Sequence, residues 1–534
     1  MLMIKWSLAP FALPHKSVFM KTWRRTAACV VAAALWSVSL GSAAAVAQDT
    51  AIKIATSTVP GVLGNPYATI GATTSSAWGV IFDTLTQFDA DGRLQPGLAE
   101  SWSQRDDRTW RFMLRDNVTF HNSVPLTADA IVRNIAYLLR ADGQRFAIAN
   151  ELAGVESAKA IDRFTVDIIT REPDAIFPAR LNLIRIVEPD AWEVLGADGF
   201  AIAPVGSGPF QVEALNAGAG TLALAAVPHK WRPSISISKI SMQVLPDQTS
   251  RLQALLSGQV DIAVGLGPDD IFTLERGGFN IYTRRRPEIM SLTFNLTSVG
   301  ESPIQDVRVR RAMNYAVDKQ GIVDGILLGY SEVGTAGVLS GTFGFDPGLK
   351  PFPYDPEKAR ALLAEAGYAE GFRLVADVIT GQGPGDALIY QKAAQDLAAV
   401  GVRLDVRAVP YPSWVTKYFS GEWDDADAFS YVWTSSKFFD AIGAIEIGSC
   451  LKANPFFCDP SATAAIRASG EEMNVESRRT MLQSILGRLH TQTPALWLVG
   501  YRDLLGHAPH LTNVRARSMG LVYEDIVATT ADTD

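Results

Sequence analysis

Three groups of side chains in this sequence have types and spacings that could do chemistry. His507-Ala508-Pro509-His510 could nominally hold a metal ion, and Cys450 and Cys458 could ligate one or pair with each other. Thr380-Gly381-Gln382-Gly383-Pro384-Gly385-Asp386 is a glycine loop ahead of a helix, an arrangement that can cradle phosphate. Each has a plainer reading. The proline between the histidines and their place near the end of the chain suit an exposed loop. Two cysteines without a nearby histidine pair do not make a zinc site. With Asn454-Pro455 turning between them, one disulfide across a short surface loop is expected in an oxidising compartment. The glycine loop lacks the Gly-Lys-Ser/Thr ending of a nucleotide site, so it is expected to line a cleft. There is no Gly-x-Ser-x-Gly elbow and no His-Glu-x-x-His helix. No catalytic residue, metal or cofactor is expected.

Size and charge set the frame. A chain of 534 residues, 48% hydrophobic, can bury more than one core, which predicts two or three domains. The segment before Gln48 holds five basic residues and no acidic one, so removing it takes the net charge from −8 to −13. A surface that acidic repels phosphate backbones, which argues against nucleic-acid binding. The segment reads as an export signal: Met20-Lys21-Thr22-Trp23-Arg24-Arg25 is basic, Ala27 to Leu40 is apolar, and Ala43 to Ala47 is a small-residue cleavage site. Cleavage is expected after Ala47, with Met20 as the start and a general secretory route in preference to a twin-arginine one. The protein is then free in the periplasm.

The elements that must position a site follow from punctuation and periodicity. Ala51 to Ala55 alternates as a strand, and Ser75 to Phe88 is predicted helical. Trp110, Phe112 and Leu114 alternate as in a half-buried strand, and Thr127 caps an amphipathic helix running to Leu139. Pro204-Val205-Gly206-Ser207-Gly208-Pro209-Phe210 is a corner, with both glycines expected to allow positive φ and close backbone approach. After it come a hairpin, a strand, a helix capped at Asp247 or Thr249 and stopped by Gly258, and the buried strand Val260 to Val264. Arg284-Arg285-Arg286 has no interleaved aromatics and is predicted to be a solvated strand edge. Asp355 caps, and Gly367 stops, a later helix.

This order resembles the extracytoplasmic solute-binding proteins of peptide- and nickel-type ABC importers, family 5, which also carry opines, glutathione and oligosaccharides. The residues that carry the resemblance are the 204–210 corner and Leu255-Leu256-Ser257-Gly258-Gln259-Val260-Asp261. Others are Leu94-Gln95-Pro96-Gly97-Leu98-Ala99-Glu100-Ser101-Trp102 and, most specifically, Asp306-Val307-Arg308-Val309-Arg310-Arg311-Ala312-Met313-Asn314-Tyr315-Ala316-Val317-Asp318-Lys319. The resemblance covers about residues 50 to 525. It implies an α/β, two-lobed periplasmic-binding-protein fold (type II, large three-subdomain class) with a discontinuous first lobe. Residues 1–47 are then leader and signal peptide, 48–289 lobe I with an accessory subdomain at about 90–203, 290–493 lobe II, and 494–534 the return to lobe I. His121 falls where that family has a structural histidine.

The function so implied is capture of a small polar solute between the lobes and delivery to an inner-membrane ABC permease, by a monomer with no enzymatic activity. An exported hydrolase on a related scaffold is the alternative. Residues 428–440 match the family's cleft-lining position, which makes Trp433, Ser435, Ser436 and Asp440 the expected ligand contacts, joined by Asn295, Phe343, Tyr67 and Gln382. Phe343 and Tyr67 have ordinary lobe packing as their alternative. Peptide-binding members there hold the peptide ammonium with an acid. In this chain that position is Ser436, Lys437 replaces a tyrosine, and Asp440 could substitute only with a shifted register. Hydroxyls and aromatic faces without that anchor favour sugar-like or opine-like solutes, with di- and oligopeptides the alternative.

Overall fold

The computed structural model describes residues 50–58, 64–68, 78–216, 218–228, 230–297, 300–517 and 520–529. The expected leader and its cleavage point lie outside them. Among the described residues no helix is long and apolar enough to cross a membrane.

One ten-stranded sheet runs through the molecule. Its order is Val402–Ala408, Phe372–Val378, Ala428–Thr434, Asn280–Phe294, Ala495–His507, Ile262–Val264, Ala51–Thr56, Lys239–Val244, Thr221–Ala226 and Phe210–Asn216. The strand Ala51–Thr56 pairs in parallel with both its neighbours, and Ile52 and Ile54 are buried. The buried β-branched run expected at 260–264 is the strand Ile262–Val264, seated at the middle of the sheet.

Two long antiparallel strands, Asn280–Phe294 and Ala495–His507, tie the two ends of this sheet together. The first changes partners along its length. Residues 280–285 pair with 502–507, whereas 288–294 pair with 428–434 as well as with the far end of the second long strand. A register shift lies between Arg285 and Ile289, around Pro287. Proline has no N–H for a ladder, so it belongs at such an irregularity. Its carbonyl is still used, accepting from Ser435 N at 2.9 Å.

A second, four-stranded sheet (Ala99–Asp106, Thr109–Leu114, Thr165–Thr170, Val155–Ala160) is covered by the helix Ala128–Leu139. The alternation is as expected, with Phe112 and Leu114 buried and Met113 exposed. The helix turns Ile131, Ile135 and Leu138 inward; Thr127 holds the N-cap position without a side-chain cap bond. Aspartates do cap elsewhere. Asp247, Asp306 and Asp355 accept from the backbone N–H of Ser250, Arg308 and Lys358 at 2.8–2.9 Å.

Two local expectations are corrected. Within its described part the helix predicted over 75–88 is helical only at Trp78, and Thr86–Phe88 is a short strand paired with Leu94–Pro96. The cause is the hairpin turn between them, where Asp89 Oδ1 accepts from the N–H of Asp91 and Arg93 and Gly92 takes φ +77°. The corner glycines do not need positive φ. They are needed for space, because a Cβ on Gly206 would lie 1.9 Å from Ile81 O and one on Gly208 2.4 Å from Val80 O.

Candidate functional site

A cleft of about 480 Å³ opens where the long strands cross the sheet. One wall is Thr56 to Thr58 after the first strand, Gln248 and Arg251 on the helix Gln248–Leu256, and Val264 to Leu266. The opposite wall is the glycine loop Gly381 to Pro384. The floor is Tyr282, Arg284 and Arg286 of one long strand and Tyr501 to Leu505 of the other, with Ala516, Gly520, Leu521 and Tyr523 of the tail closing one side.

The glycine loop owes its shape to an internal anion. The N–H groups of Gly381, Gln382 and Gly383 all donate to the Asp386 carboxylate, at 3.1, 2.8 and 3.2 Å. That carboxylate fills the place a bound phosphate would take, and the loop presents Gln382 to the cleft.

The arginine run is not a solvated edge. Successive residues on a strand point to opposite faces, so Arg284 and Arg286 share the cleft face with Tyr282 while Arg285 turns away to Glu332 and Ser340. Arg284 pairs with Asp503. Arg286 bonds Glu288 at 2.5 Å, lies 3.7 Å from Asp503, and rests over the Tyr501 ring at 5.6 Å. Burial works against its charge, but the carboxylates of Glu288 and Asp503 outweigh that and hold its pKa above the ordinary arginine value. Burial pushes the Tyr501 phenol well up, so it stays a neutral hydroxyl. Arg251 has backbone carbonyls as partners, Leu245, Pro246, Val264 and Gly265 at 2.7–2.8 Å. It braces the cleft wall.

Of the eight residues expected to line the site, Gln382 stands in this cleft. Trp433 is 1% exposed: its Nε1 donates to Thr293 Oγ1 at 2.9 Å and its ring packs edge-on against Trp497 at 4.8 Å. Ser435 is fully enclosed, and Ser436 Oγ donates to Glu288 at 2.5 Å. Asp440 caps the short helix Ala441–Ile445 and is held by Arg478. Phe343 lies under Arg478 and Arg479 at 5.1 and 4.5 Å, with its N–H on Phe439 O. Asn295 lines a separate cavity with Trp423 and Phe429. Tyr67 is buried, its hydroxyl donating to Asn134 Oδ1 at 2.6 Å. Lys437 is paired with Glu151 at 2.9 Å. None of the other seven lines this cleft, which corrects the expectation: Trp433, Ser436, Asp440 and Tyr67 are held by the partners named, while Ser435 Oγ and Asn295 Oδ1 are buried without a hydrogen-bond partner among the described residues. Arg286 and Tyr501 went unread, although the period-two pattern of Tyr282, Arg284 and Arg286 carries the signal.

Three other readings meet the structure directly. Cys450 and Cys458 form a disulfide with a Cα separation of 4.8 Å. His121 is scaffold: its Nδ1 accepts from Gly206 N at 3.4 Å, so its Nε2 carries the proton toward Gly208 O at 3.0 Å. The histidine loop is corrected, since His507 is the buried last residue of a long strand and only His510 is partly exposed, 3.6 Å from Asp261.

Known proteins share this architecture. NikA from Brucella suis, solved with Fe(III)-EDTA, superposes with a TM-score of 0.79 at 23% identity, over 90% of this chain and 100% of that one. CtaP from Listeria monocytogenes gives 0.80 at 17% identity, over 90% and 99%. The nickel-binding periplasmic protein of Escherichia coli K12 is 30% identical over 302 residues, 55% of this chain and 56% of the relative. The aligned region thus spans little more than half of that relative's length. Di/tripeptide-binding protein 1 of Pseudomonas aeruginosa is 26% identical over 385 residues, 67% of this chain and 71% of its own. The pattern described as "Bacterial extracellular solute-binding proteins, family 5 Middle" matches residues 93–447. With two-thirds of its length matched and the whole fold shared, the chain belongs to the family 5 bacterial extracellular solute-binding proteins.

Proposed function

We propose that this protein is the periplasmic substrate-binding component of an ABC importer, capturing a small polar solute in the cleft and handing it to an inner-membrane permease. One observation carries the reading: the large cleft is walled by both ends of the sheet and floored by the two strands that join them. Such a cavity can close over a solute by a small change at the crossing strands. Relatives named for nickel, di/tripeptides and glutathione support a solute role and do not name the solute.

The lobes we assign are 48–289 with the return 494–534, and 290–493, with the accessory part at about 90–203. The contacts we assign are Gln382, Tyr501, Arg286, Gln248 and Thr56. Export by the segment ending near Ala47, a monomeric state and the lack of turnover belong to the same reading. The test is calorimetry and mass spectrometry on the mature chain with peptides, opines and oligosaccharides. A solute that binds at micromolar affinity and is recovered unchanged supports it. A solute that is recovered cleaved makes the protein a hydrolase and sinks it.

A further inference from the structure

The loop between the strand Ala428–Thr434 and the helix Ala441–Ile445 reaches out of lobe II and meets the accessory part of lobe I. Lys437 Nζ bonds Glu151 Oε1 at 2.9 Å. The Phe438 ring lies under the Arg180 guanidinium at 5.2 Å, and the Phe439 ring packs on Phe88 with centroids 5.0 Å apart. Gly92 makes room for Phe439, because a Cβ there would lie 2.1 Å from its ring. Phe439 itself sits at φ +50°, a left-handed conformation that an aromatic residue keeps only where its surroundings enforce it. Nearby, Ala175 N donates to Gly470 O at 2.9 Å, a backbone bond from lobe I to lobe II.

The root of the same loop is tied to the cleft floor. Ser435 N donates to Pro287 O at the register shift of the long strand, and Ser436 Oγ donates to Glu288 Oε1 at 2.5 Å. Glu288 in turn holds Arg286, which lines the cleft. Charge picks out the fastening at the loop's far end. On the lobe I side, Glu151 and Asp174 flank Arg180 at 3.1 and 2.8 Å, so two carboxylates face one guanidinium. Lys437 brings a second cation from the other lobe. Glu151 is 9% exposed and needs its partners, whereas the Lys437 side chain is 42% exposed and can return to water at little cost. The pair is favourable when made and easily released.

We propose that Lys437 and Glu151 are positioning residues for solute capture: their ion pair fastens the loop 435–439 across the lobes and sets the balance between closed and open cleft, without either side chain touching the solute. The proposal rests on the solute-binding reading and the lobe assignment above. Its cation stands where the family motif has a tyrosine, so the fastening belongs to this chain's own sequence. Apparent affinity falls with the fraction of molecules in the binding-competent form, so the pair acts on a solute from a distance. The test is hydrogen exchange on the mature chain without added solute, read at the Ala175 amide, whose bond crosses the lobes. Lys437→Met should speed exchange there by about 2-fold to 5-fold, the range for a pair with one exposed partner, and leave the strand Ala51–Thr56 unchanged. Lys437→Arg should keep wild-type protection. Raising the salt concentration from about 0.05 M to about 1 M should speed exchange at Ala175 in wild type and not in Lys437→Met, because screening then has no pair to weaken. Unchanged exchange at Ala175 in Lys437→Met, or the same salt response in both proteins, overturns the proposal. Faster exchange in the strand Ala51–Thr56 as well would mean general loosening and overturns it too. Because no solute is added, a negative result strikes the fastening alone; the solute-binding reading falls only on the solute panel.

Discussion

Asp440 and Arg478 form a two-pronged ion pair, Oδ2 to Nη1 at 2.5 Å and Oδ1 to Nη2 at 2.9 Å, with both side chains 6% exposed. Oδ1 also accepts from Ile442 N at 3.0 Å, and Arg478 Nε donates to Ser469 O at 2.9 Å. Three of the roughly four acceptor directions of that carboxylate are used inside the fold. Asp440→Asn should therefore lower stability by about 3–5 kcal/mol, the cost of leaving a buried guanidinium unpaired, and leave solute affinity unchanged. Urea denaturation beside calorimetry checks this; lost affinity at unchanged stability would return Asp440 to the site.

Trp433 behaves as a core residue in the same sense. Removing its ring by Trp433→Ala takes away the contacts to Trp497, Phe456 and Tyr431 and the bond to Thr293. A loss of about 3–5 kcal/mol in unfolding free energy is expected. Trp433→Phe should lose less, and neither variant should change affinity at a temperature where it is folded.

The cleft residues should show the reverse pattern. Tyr501→Phe and Gln382→Ala each remove one neutral hydrogen-bonding group from the cleft lining. Each should weaken solute binding by about 1 kcal/mol while leaving the melting temperature of the free protein within a degree or two of wild type. A fall in melting temperature with unchanged affinity would place either side chain among the structural ones.

Lys319 gives a pH signature. It is buried, its Nζ donates to Asn314 O at 2.8 Å and Oδ1 at 3.3 Å, and burial lowers its pKa from 10.5 to about 7. Between those values the unfolded chain holds the proton more tightly than the folded one, so this group's contribution to stability rises with pH across the window. Its burial penalty is present in full below about pH 7 and is relieved toward pH 10.5. Lys319→Met should gain most over wild type near pH 6, by an amount on the order of a few kcal/mol, and the gain should shrink steadily to pH 10. Melting curves of both proteins at matched pH test it; a constant difference would mean that the amine is not perturbed.

How far the sequence could be read depended on how local each signal was. Caps at Asp247, Asp306 and Asp355, the alternation of Phe112 and Leu114, and the pairing of Cys450 with Cys458 need only a few consecutive residues, and all were legible. The family motifs were legible too, because they mark the fold's turns and helix starts. The side chains of the site were not. Whether Trp433 faces a solute or the core turns on which strand lies beside it, and that neighbour, Asn280–Phe294, is about 140 residues away in sequence. Arg286 looked like a solvated charge until Glu288, Asp503 and Tyr501 were brought to it by the pairing of two long strands. By itself the sequence determined the class of fold and the positions of its turns, because these follow from backbone preference and hydrophobic period. Only the tertiary structure decided which polar groups are consumed by one another, as Asp440 is by Arg478 and Arg286 by Glu288 and Asp503, because that balance is struck between side chains brought together by the packing of separate elements.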